Sequence, residues 1–313
     1  MKRLFLIFIA FFAIIQCQIH CLDVTSDEDL LNYIRKDQIV VLFSKKNCDD
    51  CDRLEKVLDS IVDDLQKLQN PTKAIKVLSS NLVRLYSPSK EPAIVFFRRG
   101  TPLLVDHDIA VNADTLLMHL TENEEPVVKE LTDATFEHLT QASTGATTGD
   151  WLVFFYSQKC VDCQRLNALW EGVGANLKLR MNTARVNIET GGVDTGKRFG
   201  IEKAPEFVLI RLGKFYRYPM NAYGIKAFVS FATQGFKNAK AEKIRVAESP
   251  FDNLVSKGVN VLKLFVEMTN QVKREFPITF LAIIGFVIIV CILLTMKRRS
   301  ERQQVKDKRR KAK

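Results

Sequence analysis

Twice along this chain a run of β-branched and aromatic residues leads into two cysteines spaced two residues apart, and a proline follows at a matched distance. In the first copy the run is Ile39–Phe43, the motif is Cys48-Asp49-Asp50-Cys51, and Pro92 lies 44 residues beyond Cys48. In the second the run is Leu152–Tyr156, the motif is Cys160-Val161-Asp162-Cys163, and Pro205 lies 45 residues beyond Cys160. Short apolar runs of this kind read as buried strands. After each motif the apolar residues take helical spacing. Leu54, Val57, Leu58, Ile61, Val62, Leu65 and Leu68 form one face in the first copy and predict a single helix. Leu166, Leu169, Trp170, Val173 and Leu177 do the same in the second. Each proline opens another strand, Ala93–Phe97 or Glu206–Ile210, which a glycine-bearing turn reverses into Leu103–Val105 or Phe215–Tyr218. A strand–CxxC–helix unit with a proline-led hairpin, present twice, predicts two α/β domains in tandem.

A CxxC pair at a helix start is a redox device for a physical reason. Unpaired backbone N–H groups and the helix dipole favour negative charge there, so the first sulfur is stabilised as a thiolate. That thiolate attacks a disulfide, and the second cysteine, one turn on, resolves the mixed disulfide. Cys48 and Cys160 are therefore the expected nucleophiles, with Cys51 and Cys163 as resolvers.

The residues around the motifs resemble the protein disulfide isomerase branch of the thioredoxin superfamily. The likeness is carried by Val128–Phe136 as a domain opening, by Phe155-Tyr156-Ser157 before the second motif and by Trp170-Glu171 after it. Lys197-Arg198-Phe199-Gly200-Ile201 ahead of Ala204-Pro205 adds to it. Copy two resembles the family over residues 127–236; copy one, residues 22–122, does so in its motif, its spacing and Glu91-Pro92. The resemblance implies two thioredoxin-like domains. It also implies cis prolines at Pro92 and Pro205 that face the CxxC, where with Glu91 and Ala204 they would line the substrate-binding edge. Departures are equally informative. Asn47, Asp49 and Asp50, and Lys159, Val161 and Asp162, stand where the active isomerase pattern has Trp and Gly-His. A carboxylate beside a thiol opposes thiolate formation. Copy two, with one aspartate partly offset by Lys159, is the better candidate. Leu42 and Phe154 replace the buried acid that the family places six residues before the first cysteine, which removes the expected proton relay.

Charge and hydropathy at the ends predict membrane topology. The net charge of +10 comes from Lys2, Arg3 and a tail, residues 297–313, that holds ten Lys or Arg against Glu301 and Asp307. The folded body is therefore near neutral, which argues against nucleic acid as a partner. Met1–Cys21 reads as a signal peptide. Phe276–Met296 carries no charge over 21 residues, enough for roughly 30 Å of helix, and Lys297-Arg298-Arg299 follows at once. Between 237 and 275 a polar connector leads to Ser249-Pro250, a helix start, and to the stripe Val255, Val259, Leu262, Phe265, Val266 and Met268. That stalk helix could lie on a membrane, pack on the second domain or pair with another copy. The arrangement resembles transmembrane thioredoxin-related proteins of the endoplasmic reticulum, single-pass type I, N-terminus lumenal and C-terminus cytosolic. Lys308-Arg309-Arg310-Lys311 resembles a retrieval signal read by a vesicle coat; a plain stop-transfer anchor is the alternative. The tail would also attract anionic membrane lipid.

Four cysteines remain outside the leader and the apolar span, all in CxxC pairs. Three functional readings stay open. The first is a membrane-anchored thiol–disulfide oxidoreductase, reductase- or isomerase-like, acting on cysteine-bearing secretory or membrane client proteins and needing no cofactor. The second is a redox-weak thioredoxin-fold chaperone or adaptor that binds clients. The third is a zinc site formed from all four thiolates, against which stands the placement of each pair between a strand and an amphipathic helix. The first reading includes no metal.

Overall fold

The computed structural model describes residues 22–145, 148–246, 258–268, 270 and 285–297. The chain divides into two units, Met1–Ala247 and Glu248–Lys313. Met1–Cys21, the start of the stalk at Ser249-Pro250, and the tail residues Lys308, Arg309, Arg310 and Lys311 lie outside the described residues.

The first domain runs β1 (Asp23–Val24), α1 (Asp27–Lys36), β2 (Gln38–Ser44), α2 (Asp49–Asp59), α3 (Val62–Gln66), β3 (Lys73–Leu78), α4 (Val83–Tyr86), β4 (Ala93–Arg98), β5 (Thr101–Leu104) and α5 (Ala113–Glu122). Its sheet order is β1-β3-β2-β4-β5, with β2 parallel to β3 and antiparallel to β4. The central position explains why all seven residues of β2 are buried. The second domain follows with β6 (Lys129–Leu131), α6 (Asp133–Thr140), β7 (Trp151–Tyr156), α7 (Val161–Leu177), β8 (Asn182–Asn187), α8 (Val193–Arg198), β9 (Glu206–Arg211), β10 (Lys214–Arg217), α9 (Ile225–Thr233) and β11 (Ala241–Lys243). Its order is β11-β10-β9-β7-β8-β6. Both hairpins turn on two left-handed residues, Arg99 and Gly100 (φ 50° and 90°) and Leu212 and Gly213 (φ 49° and 71°). Two residues of positive φ match the twist of the flanking strands.

Two expectations change. The single helix predicted through Leu68 breaks at Ser60 and Ile61. The N–H of Ile61 donates to the Leu58 carbonyl and the Ser60 hydroxyl to that of Val57, which tightens the helix to a close, and α3 restarts one residue on. Leu58, Ile61 and Leu65 still reach the core. The polar connector expected from residue 237 instead continues the second domain. Ala241–Lys243 pairs antiparallel with β10, Glu242 meets Arg217 at 3.1 Å, and Ile244 packs on the core. A charged three-residue edge strand covers β10 and leaves little template for another chain.

The two domains join through α7. Its stripe of Leu166, Leu169, Trp170, Val173 and Leu177 covers the second sheet, as the periodicity predicts. Ala168, Glu171, Gly172 and Ala175 are buried as well, because the opposite side of α7 packs on β5 and α4 of the first domain. One apolar cluster consequently runs from Phe43, Phe97 and Leu104 through α7 to Phe207 and Phe228. At the contact a Cβ on Gly172 would lie 2.6 Å from the Leu104 carbonyl oxygen and 2.7 Å from Ile225 Cδ1, so only glycine fits. Beside it, Arg98 donates at 2.9 Å to Glu171, both side chains being 2% exposed. The same guanidinium donates to the carbonyls of Asn123 and Glu125, and the Val127 N–H donates to Glu171. The pair thus ties β4, the interdomain linker and α7 into one junction.

In the second unit, residues 258–268 are helical, and Val259, Val261, Leu262, Leu264, Phe265, Val266 and Met268 are exposed. The apolar run Phe276–Met296 is described from 285 onward, as helix over 285–297. Among the described residues no helix is long and apolar enough to cross a membrane.

Removing one partner of a buried ion pair strands the other charge without water. We expect Glu171→Ala to cost about 3–5 kcal/mol in urea denaturation of residues 22–246. The double replacement Arg98→Met with Glu171→Leu should cost far less, because it buries no charge. Equal losses would show that the pair contributes only by filling space.

Candidate functional site

Each CxxC occupies the start of a helix that follows an interior strand, so it emerges at the C-terminal end of β2 or β7. Cys48 is the N-cap of α2 and Cys160 the N-cap of α7, both with extended backbone. The Cys51 N–H donates to Cys48 Sγ at 3.1 Å, and the Cys163 N–H donates to Cys160 Sγ at 3.0 Å. The dipole and the free N–H groups therefore converge on the first sulfur of each pair. Both pairs are disulfide-bonded, with Cα–Cα distances of 5.2 and 5.1 Å that suit the bond. Within each pair access is unequal. Cys48 and Cys160 are partly exposed, whereas Cys51 and Cys163 are 0% and 1% exposed. An incoming nucleophile or client reaches the first sulfur and is kept from the second.

The prolines lie where the sequence places them. Glu91-Pro92 and Ala204-Pro205 are both cis. Phe43 pairs with Ala93, so Pro92 stands opposite the end of β2, where the chain leaves for Cys48. Phe155 pairs with Glu206, which puts Pro205 at the matching point beside β7, and Ala204 and Cys160 pack against the same core cluster.

The charges around the motifs differ in detail from the sequence reading. Asp49 and Asp50 are exposed in the first turn of α2, and Asp50 pairs with Arg53 at 3.1 Å. Asp162 pairs with Arg165 at 3.3 Å, while Lys159 pairs with Glu189 at 3.6 Å. Arg165, not Lys159, is thus the direct counter-charge to Asp162. Leu42 and Phe154 are fully buried, and the strands carry no acid at those points.

Three features escaped the sequence reading. Glu55, four residues after Cys51, pairs with Lys76 of β3, and both side chains are about one-sixth exposed. The i, i+4 spacing from Cys51 was the available signal. The second is the Arg98–Glu171 junction, for which a glutamate among small residues on the side of α7 away from its apolar stripe was the only hint. The third is a crevice of about 320 Å³ beside the second motif, lined by Leu85, Tyr86, Pro102, Gln164, Asn167 and Arg185 and drawn from both domains. Of the histidines, His119 is held down to about 4, first by burial and then by Lys178, so it is neutral near pH 7. Among the described residues no group of three or more His, Cys, Asp or Glu is placed to hold a metal ion. The two cysteine pairs do not converge on one four-thiolate site.

This is a protein of thioredoxin-like sheets carrying two CxxC disulfides, each at a helix start, an arrangement chemically able to undergo thiol–disulfide exchange. Residues 127–232 match the thioredoxin family model. A "Thioredoxin domain-containing protein" of Theileria parva is 38% identical over 133 residues, covering 42% of this chain and 60% of the relative, less than two-thirds of its length. Human ERp44 in a zinc-bound form is 15% identical, with 68% of this chain and 57% of that one covered at a TM-score of 0.32. The first thioredoxin domain of mouse protein disulfide-isomerase A4 is 16% identical, with 40% and 87% covered at a TM-score of 0.33.

The unequal burial yields a direct expectation. After reduction, iodoacetamide near neutral pH should modify Cys48 and Cys160 about tenfold faster or more than Cys51 and Cys163, by peptide mass spectrometry. Equal rates would remove the assignment of nucleophile and resolver.

Proposed function

We propose that the chain is a membrane-anchored thiol–disulfide oxidoreductase, reductase- or isomerase-like, that acts on secretory-pathway proteins, with Cys160 as its principal nucleophile. The observation that carries this reading is the repeated asymmetry of the pairs. Each has an accessible sulfur at a helix N-terminus and a fully covered partner one turn on. A client disulfide would be attacked at Cys160 beside Ala204-Pro205, the residues that lead into β9. Cys48 beside Glu91-Pro92 would act as the secondary centre.

Placement in the endoplasmic reticulum membrane, with the N-terminus lumenal, rests on sequence. Met1–Cys21 would direct secretion, Phe276–Met296 would span the bilayer, and the positive charges after it would stay in the cytosol. The tail would meet anionic lipid, and Lys308–Lys311 would engage a vesicle coat for retrieval. Cysteine-bearing secretory or membrane proteins are the proposed partners.

A second reading, a redox-weak chaperone or adaptor, draws on one observation. Asp49 and Asp50 crowd the first motif and oppose a thiolate at Cys48. Cells expressing the full chain with Cys163→Ala separate the two, since a mixed disulfide at Cys160 then persists. Reductant-sensitive adducts that vanish when Cys160 is also replaced are the expected result. Their absence from a correctly folded and inserted protein would favour the adaptor.

A further inference from the structure

We propose that Glu55 accepts the Cys51 proton when the first pair releases a client, and that the second pair lacks this step because Asn167 occupies the matching place. The two pairs then divide the work into release and capture. The inference rests on the exchange reading above and deepens it.

The two domains supply their own comparison. In the first sheet Leu42 pairs with Lys76, and in the second Phe154 pairs with Arg185. On the helices, Glu55 follows Cys51 by four residues and Asn167 follows Cys163 by four. Residues at this spacing are neighbours on one helix face, roughly 5–6 Å apart at Cβ. The same three places therefore hold cysteine, glutamate and lysine in one domain, and cysteine, asparagine and arginine in the other. In the first, Glu55 Oε2 is held by Lys76 Nζ, with the side chains 16% and 15% exposed. In the second, Arg185 turns to Glu130 at 2.5 Å and lies over the Tyr156 ring. Asn167 is left with a buried Oδ1 that has no hydrogen-bond partner, and its amide exchanges no proton near neutral pH.

The charged surroundings of Glu55 are simple. Lys76 faces it from β3, while Asp52, Lys56 and Asp59 flank it on α2. Among the elements packed most closely on α2, β2 and the turn Ile109–Val111 bring no titratable side chain.

The reaction balances within the dithiol. Cys48 thiolate attacks a client disulfide, forming the Cys48–client bond and expelling one client thiolate. Cys51 Sγ–H then gives its proton to the Glu55 carboxylate, directly or through one water, and the new thiolate attacks Cys48 Sγ. The Cys48–Cys51 bond forms, the Cys48–client bond breaks, and the second client thiolate leaves and takes a proton from solvent. The pair is oxidised by two electrons and the client disulfide is reduced by two. At Cys163 no carboxylate stands one turn away, so the mixed disulfide at Cys160 persists longer.

The test uses the full chain in a Cys291→Ser background, which removes the remaining free thiol, with Cys160→Ser and Cys163→Ser, reduced and mixed with 5,5′-dithiobis(2-nitrobenzoate). The first thionitrobenzoate reports attack by Cys48 and the second reports resolution by Cys51. Glu55→Gln should leave the first phase unchanged and slow the second about tenfold or more near pH 6 to 7. Its second phase should then climb steeply with pH and meet the parent where the thiol ionises unaided, about pH 8.5 or above. Glu55→Asp should restore part of the rate. Lys76→Met keeps the carboxylate and should retain the parent's shallow pH profile. In the reciprocal chain, with Cys48→Ser and Cys51→Ser, Asn167→Glu should speed the second phase. An unchanged second phase in Glu55→Gln would overturn the proposal. So would an equal slowing at every pH, or a Lys76→Met variant that matches Glu55→Gln, since either would mark a structural ion pair. Absence of the first phase in the parent would overturn the exchange reading itself, and this inference with it.

Discussion

Burial of α7 between two sheets is the contact on which the rest of the first unit depends. A helix covered on one side tolerates large residues on that side and polar ones opposite. Here the opposite side must also meet protein, so it carries Ala168, Gly172 and Ala175, and its single buried charge, Glu171, is neutralised by Arg98 from the other domain. The Gly172 contact with the Leu104 carbonyl sets how closely the domains approach. The short α4 of the first domain belongs to the same arrangement, since α7 packs on it as well as on β5. Cys160 and Cys163 open this shared helix. The second redox pair is thus mounted on an element that neither domain holds alone.

That mounting shapes the chemistry. A sulfur at a helix start is stabilised as a thiolate by fixed N–H groups, and rigid packing behind the helix keeps those groups in place when the disulfide opens. The covered second sulfur waits one turn down. What separates the two sites is the surroundings of that second sulfur, where the first domain has a glutamate–lysine pair and the second an amide. Two copies of one unit need not do the same work. In the proposed division, capture falls to Cys160 and resolution to Cys51, where Glu55 and Asn167 mark the difference between the copies.

Much of the fold was legible because period and spacing are local properties. The strands Ile39–Phe43 and Leu152–Tyr156, the proline-led hairpins and the tandem arrangement follow from short windows of residues, and the structure places them within a residue or two. The break at Ser60 was hidden, because the apolar stripe keeps its phase across it. β11 was hidden for the opposite reason: a three-residue edge strand facing water has no apolar signature. Interdomain packing left only faint marks, a glutamate and small residues within an apolar helix. Glu55 looked like any solvent-facing acid on an amphipathic helix, and only the register of β3 shows that Lys76 covers it.

The account treats both disulfides as working couples and not as staples, and their reduction potentials test this most directly. Residues 22–246 would be equilibrated in graded glutathione buffers, quenched with an alkylating reagent, and the thiols of each pair counted by mass. The account predicts that both pairs titrate reversibly as two-electron couples within roughly −150 to −280 mV, the span occupied by disulfide oxidoreductases. Pairs that stay oxidised below about −300 mV, as structural disulfides do, would contradict it.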